Sequence, residues 1–150
     1  MKTSSRRPNG GFTLVEIMIV VAIIALLAAI AVPNFMRARK RSQATRILED
    51  IRQLDAALDQ YAIENNKASG DPVVWDDLAK YVKEGTTLYN SGGKDLHGHE
   101  MLNWFGGVVI DKPSQIRVCS MTYAQLKDVA PLEFWSPYGV EGMGASPFLP

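Results

Sequence analysis

The chain has 150 residues, which suits one small domain once a long apolar N-terminal stretch is set aside. Its charges balance but are unevenly placed. Residues 1–46 carry eight basic side chains and the single acid Glu16, whereas residues 47–150 carry eight basic residues against fifteen acids. The acidic distal part argues against nucleic-acid binding through a basic face. The one cysteine, Cys119, makes neither an intramolecular disulfide within this sequence nor a CxxC metal site.

Residues 1–11 form a short polar leader. Pro8-Asn9-Gly10-Gly11 cannot hold a regular helix and is expected to be extended and accessible. Phe12 to Val32 follows, 21 residues with one charge, Glu16. As a helix it reaches about 31 Å, near the hydrocarbon thickness of a bilayer. Three readings compete. A secretory signal peptide has a shorter apolar core and a small-residue cleavage site. A plain anchor has no use for Glu16, because an acid inside a bilayer costs about 2.5–3.5 kcal/mol. The third reading gives that acid a cationic partner.

Arg6-Arg7-Pro8-Asn9-Gly10-Gly11-Phe12-Thr13-Leu14-Val15-Glu16 resembles the processing motif of type IV pilins and type II secretion pseudopilins. The resemblance is strong over about residues 6–45. It implies cleavage after Gly11 by a prepilin peptidase and N-methylation of Phe12. It also implies that Glu16 meets the N-terminal amine of a neighbouring subunit. An unpaired charge in an apolar fibre core costs several kcal/mol, so such pairing would set axial register. Charge alone leaves orientation open, since Lys2, Arg6 and Arg7 face comparable positive charge at Arg37–Arg41. The resemblance implies a single-pass inner-membrane precursor with a cytoplasmic N-terminus and a periplasmic or extracellular head. Identical or related subunits, the peptidase, an inner-membrane assembly platform and, before assembly, membrane lipid are the partners it implies.

Past the apolar segment, Pro33 removes a helix hydrogen bond and predicts a kink. The basic run 37–46 suits anionic lipid headgroups or an ordinary solvated helix face. From Asn34 to about Asn65 the pattern is amphipathic, with Ile47, Ile51, Leu54, Leu58 and Tyr61 on one face. Residues 73–83 read as a short helix with Trp75 and Leu78 inward, and residues 84–106 as glycine-rich loop. Val108–Ile110 and Gln115–Ser120 read as a hairpin around Asp111-Lys112-Pro113-Ser114. Cys119 falls in its second strand as a small buried hydrophobe. A brief helix over 122–129 capped by Thr122, a last strand or extended segment at 134–138 and a loose tail complete the reading.

The expected fold is α+β. A long N-terminal helix, transmembrane in its first half and amphipathic in its second, packs on a small antiparallel sheet, in the pilin-like layout that the resemblance implies. The segments are leader 1–11, membrane and assembly helix 12–32, amphipathic continuation 33–66, and a head 67–150 packed on 45–66. No catalytic constellation, nucleotide loop or zinc-protease motif is present, so an enzyme is not expected. No cofactor is expected either. If a cation bound, calcium held by Asp95, Glu100 and Asp111 is the candidate set, ahead of zinc at His97 and His99. The expected function is a structural subunit of a type IV pilus or a type II secretion pseudopilus. The lone cysteine lacks the disulfide loop common in the former. The alternative is a membrane-tethered extracytoplasmic binding module that does not polymerise.

Overall fold

A computed structural model describes residues 11–68, 71–101, 108–109, 116–140 and 142. Pro8–Gly10 of the expected leader, the turn 111–114 with the candidate ligand Asp111, and most of the expected loose tail lie outside these residues. The chain divides into two units, Met1–Arg37 and Ala38–Pro150. One helix, α1 (Leu14–Glu64), contributes to both.

In the first unit α1 is long and apolar enough to cross a membrane by length and composition. Every large apolar side chain from Phe12 to Met36 is exposed. Each is worth about 1.5–3 kcal/mol when removed from water, so the segment demands apolar surroundings that this chain does not itself provide. The helix runs unbroken through Pro33, so it does not end at the close of the apolar run. The ring nitrogen leaves the carbonyl of Ala29 without its usual donor.

The second unit is built on the other half of α1. Ala44, Ile47, Leu48, Ile51, Leu54, Ala57, Leu58 and Tyr61 are buried, each with another of the set three or four positions away, one stripe of a 3.6-residue helix. All five residues of the predicted apolar face are in it. They share one core with Val73, Leu78, Val82, Leu88, Met101, Ile116, Val118, Leu126, Ala130, Trp135, Tyr138 and Val140. Past the end of α1, the side-chain amide of Asn65 donates to the carbonyl of Tyr61, and the Tyr81 hydroxyl donates to Glu64 at 2.8 Å. Tyr61 and Tyr81 meet edge to face at 6.0 Å. Lys40 pairs with Asp128 at 3.0 Å, and Arg46 donates to the hydroxyl of Thr87.

Elsewhere the head departs from the expected pattern. The sheet among the described residues is one antiparallel ladder of two-residue strands, β1 (Pro72–Val73) and β2 (Val108–Val109), with Pro72 opposite Val109 and Val73 opposite Val108. It is not the sheet anticipated beneath the helix. Val108 and Val109 pair back to β1, and Val118, expected in the second hairpin strand, makes an isolated parallel bridge to Val140. The expected helix 73–83 contracts to α2 (Trp75–Leu78) and a 3-10 turn (Ala79–Tyr81), because Val73 is used in the ladder.

A helix that glycine content concealed, α3 (Thr87–Ser91), occupies the predicted loop. Thr86 caps it by accepting from the Tyr89 N–H, and Gly92 closes it in the left-handed region. The helix α4 (Ser120–Leu126) begins two residues earlier than expected. Buried Cys119 stands at its N-cap, rather than in a strand, and Thr122 is inside the helix and fully buried. Phe134 and Trp135, the first residues of the strand or extended segment expected at 134–138, lie in a 3-10 turn (Leu132–Trp135).

Asp50 sits on the buried side of α1 at 8% exposure. Its pKa is raised, foremost by burial, and Asp95 and Glu49 add to the rise while Arg46 opposes it. A carboxyl that holds its proton more tightly in the folded chain loses stability on ionising. The loss sets in as pH rises from the unfolded value of about 3.9 through the raised folded one. Asp50→Asn is therefore expected to melt higher than wild type at pH 7, with the gap closing below about pH 4. Thermal melts of both chains across that range check this, and a gap independent of pH contradicts it.

Candidate processing and assembly site

The first residues of α1 are organised by a threonine and a glutamate three positions apart. Thr13 immediately precedes the helix. Its hydroxyl accepts the Glu16 N–H at 3.3 Å, and its own N–H donates to Glu16 Oε2 at 2.8 Å. The Thr13 hydroxyl also donates to the same oxygen at 2.9 Å. This reciprocal pair is a capping box, satisfying two backbone donors that a helix start leaves open. The sequence Thr-x-x-Glu before an apolar run carries that signal. The reading of Glu16 from its charge alone missed the cap.

Two consequences follow for chemistry. First, both Thr13 bonds fall on Oε2. Among the described residues Oε1 of Glu16 has no partner, so the carboxylate is oriented by one oxygen and open at the other. Second, the cap fixes where the helix stops, leaving Gly11 and Phe12 outside it. Gly11 is exposed, and a Cβ added there would meet nothing within 4 Å. Among the described residues nothing stands in the way of a side chain at position 11.

The candidate metal ligands do not come together among the described residues. Asp95 is buried, and both its oxygens are engaged within the chain. Oδ1 accepts the N–H groups of His97 and His99, each at 2.9 Å. Oδ2 accepts the hydroxyl of Thr122 and lies 3.6 Å from His99 Nδ1. Since Thr122 donates its one proton to Asp95, His99 Nδ1 at 2.7 Å is the donor to Thr122. Asp95 thus closes the loop 95–99 and fastens it to α4. Glu100 is exposed, and no group of three His, Cys, Asp or Glu among the described residues is placed to hold a metal.

Arg6 and Arg7, the exposed Gly11 and the capped start of a helix whose large apolar side chains are exposed as far as Met36 follow one another in this stretch. Residues 6–32 match the prokaryotic N-terminal methylation motif, and the chain carries that motif. It is similar to the type II secretion system core protein G of Aeromonas hydrophila, 39% identical over 62 residues, covering 41% of this chain and 43% of that protein. It is likewise similar to core protein G of Pseudomonas aeruginosa, 45% identical over 60 residues, 40% of this chain and 42% of that one. The type IV major fimbrial protein FimA of Dichelobacter nodosus is 42% identical over 101 residues, 67% of this chain and 60% of that one. The chain spans about half the length of the curated relatives it matches. No solved structure matches.

Proposed function

We propose that the chain is a structural subunit of a type IV pilus or a type II secretion pseudopilus. A prepilin peptidase hydrolyses the Gly11–Phe12 amide, Phe12 is methylated, and the subunit polymerises through α1. The observation that carries this reading is the motif over residues 6–32, which runs into the first half of α1, where every large apolar side chain from Phe12 to Met36 is exposed. The names of the relatives, core protein G and major fimbrial protein, support it. The unconstrained Gly11 supports it too, because a glycine that the fold does not need suits a recognition element for another protein.

On this reading the precursor spans the inner membrane once, leader inward, with the head outside it in a pilin-like layout. Cleavage creates an amine at Phe12, one helical turn from Glu16. Among the described residues, the Oε1 left open by the Thr13 cap faces no competitor for the amine of a neighbouring subunit. Apolar packing of identical helices then replaces lipid around Phe12–Met36, and Pro33 is the weak point of the bundle. Nothing in the arrangement calls for catalysis by the chain itself.

Mass spectrometry of the N-terminus, from cells that contain the peptidase, tests the processing step. The mature chain is expected to begin at Phe12 and to carry one added methyl group. Gly11→Val is expected to leave membrane insertion and head stability unchanged while the leader stays on. A chain that begins elsewhere removes the processing proposal. An uncut chain that never cross-links to its own kind favours a tethered, non-polymerising module instead.

A further inference from the structure

Basic residues on the helix beyond the apolar segment divide into two groups. Lys40, Arg46 and Arg52 are engaged within the chain, with Asp128, Thr87 and Glu49 respectively. Arg37, Arg39 and Arg41 are exposed, and among the described residues no hydrogen bond or ion pair ties their guanidinium groups. Arg39 and Arg41 are two positions apart on α1, so their side chains leave the axis about 200° apart, on opposite sides. Lys40 between them is turned to Asp128. The open charges therefore do not form one face ready for one partner surface. Arg39 and Arg41 take opposite sides of the helix.

Connectivity places them at a defined depth. The 25 residues from Phe12 to Met36 span about 37 Å as a helix, and Arg37 directly follows them. The hydrocarbon core of a bilayer is about 30 Å thick and the whole bilayer about 40–45 Å. Arg41 follows the last apolar residue, Met36, by five positions, so its Cα stays within about 18 Å of it whatever the chain does between. Flexible arginine stems cover part of that distance toward the headgroups.

We propose that Arg37, Arg39 and Arg41 form a collar that binds the phosphate groups of anionic phospholipids in the leaflet on the head side, fixing the height at which the unassembled subunit waits. This rests on the membrane-anchored precursor proposed above. Guanidinium groups on opposite sides of a helix suit a layer of small anions that can approach from either side, and Arg engages phosphate with two parallel donors. The collar also accounts for positive charge at the end of the span that charge asymmetry alone would leave bare.

Spin-label spectroscopy on the full chain in phosphatidylcholine vesicles tests the proposal, with spin-labelled phosphatidylglycerol and phosphatidylcholine as probes of the lipid held at the protein. One arginine near an anionic surface changes partitioning by about fivefold. The wild-type chain is expected to select phosphatidylglycerol at least about fivefold, with the preference falling sharply in about 1 M salt. The triple variant R37Q/R39Q/R41Q is expected to lose most of it, whereas K2Q/R6Q/R7Q, in the leader, keeps most. Unchanged selectivity in the collar variant overturns the proposal. So does unchanged lipid selectivity joined to loss of chain–chain cross-links, which assigns the arginines to acids of a second copy. Because the N-terminus of the processed chain is read separately, a failed collar leaves the processing reading standing, and a chain not cut at Phe12 is recognised as a different failure.

Discussion

Glu16→Gln is expected to leave the start of α1 intact and to abolish fibre assembly. Glutamine keeps the capping box, since its side-chain oxygen can still accept from the Thr13 N–H and hydroxyl. What it removes is the charge. If Glu16 serves to neutralise the amine of a neighbour, Glu16→Gln fails as completely as Glu16→Ala, because a buried amine without a counter-ion costs several kcal/mol per subunit. Fibre yield would fall by orders of magnitude while membrane insertion and leader removal continue. If the cap is the whole role of Glu16, Glu16→Gln assembles normally and only Glu16→Ala is impaired, by about 0.5–2 kcal/mol at the helix start. Sheared-fibre yield from the two variants, beside the amount of processed subunit in the membrane, separates the cases. Normal fibres from Glu16→Gln would refute the pairing argument.

The second large effect lies in the head. Trp135 is fully buried, and its indole N–H donates to the carbonyl of Ala130 at 3.1 Å. Its ring meets Phe134 edge to face at 5.0 Å. Trp135→Ala removes the largest of the fully buried side chains and is expected to cost about 3–5 kcal/mol. For a unit of this size that lowers the melting temperature by more than about 10 °C. Trp135→Phe keeps most of the apolar volume but strands the Ala130 carbonyl, and is expected to cost about 1–3 kcal/mol. Near-UV circular dichroism of the full chain in detergent checks the order wild type, Trp135→Phe, Trp135→Ala. Equal melting of all three would show that the turn Leu132–Trp135 does not hold the head together.

The parts of this chain that were readable in advance are those in which periodicity and burial coincide. The stripe from Ile47 to Tyr61 follows the helical repeat and faces the core, and the apolar run from Phe12 announces itself by length. The head was harder for reasons that particular residues make plain. Val73 looked helical beside Trp75 and Leu78, but it is taken up by a ladder with Val108, a partner that no local pattern names. Gly92 and Gly93 suggested open loop, yet they end α3. Gly93 lies so close to Trp75 that an added Cβ would come within 2.5 Å of the ring. Thr122 has the look of a helix cap, and is instead spent on Asp95 across 27 residues. At the N-terminus the charge of Glu16 drew attention to assembly, while the ordinary Thr13–Glu16 cap was also legible in its spacing.

The freedom of Gly11 has a consequence for how variation at this position registers. Among the described residues, a Cβ added there would meet nothing within 4 Å. An assay that scores folding or expression alone would therefore rate position 11 as indifferent. An assay that scores what becomes of the chain after synthesis would rate it among the least forgiving. On the processing proposed above, the glycine is an address read by another molecule, and its meaning is invisible to the fold that displays it.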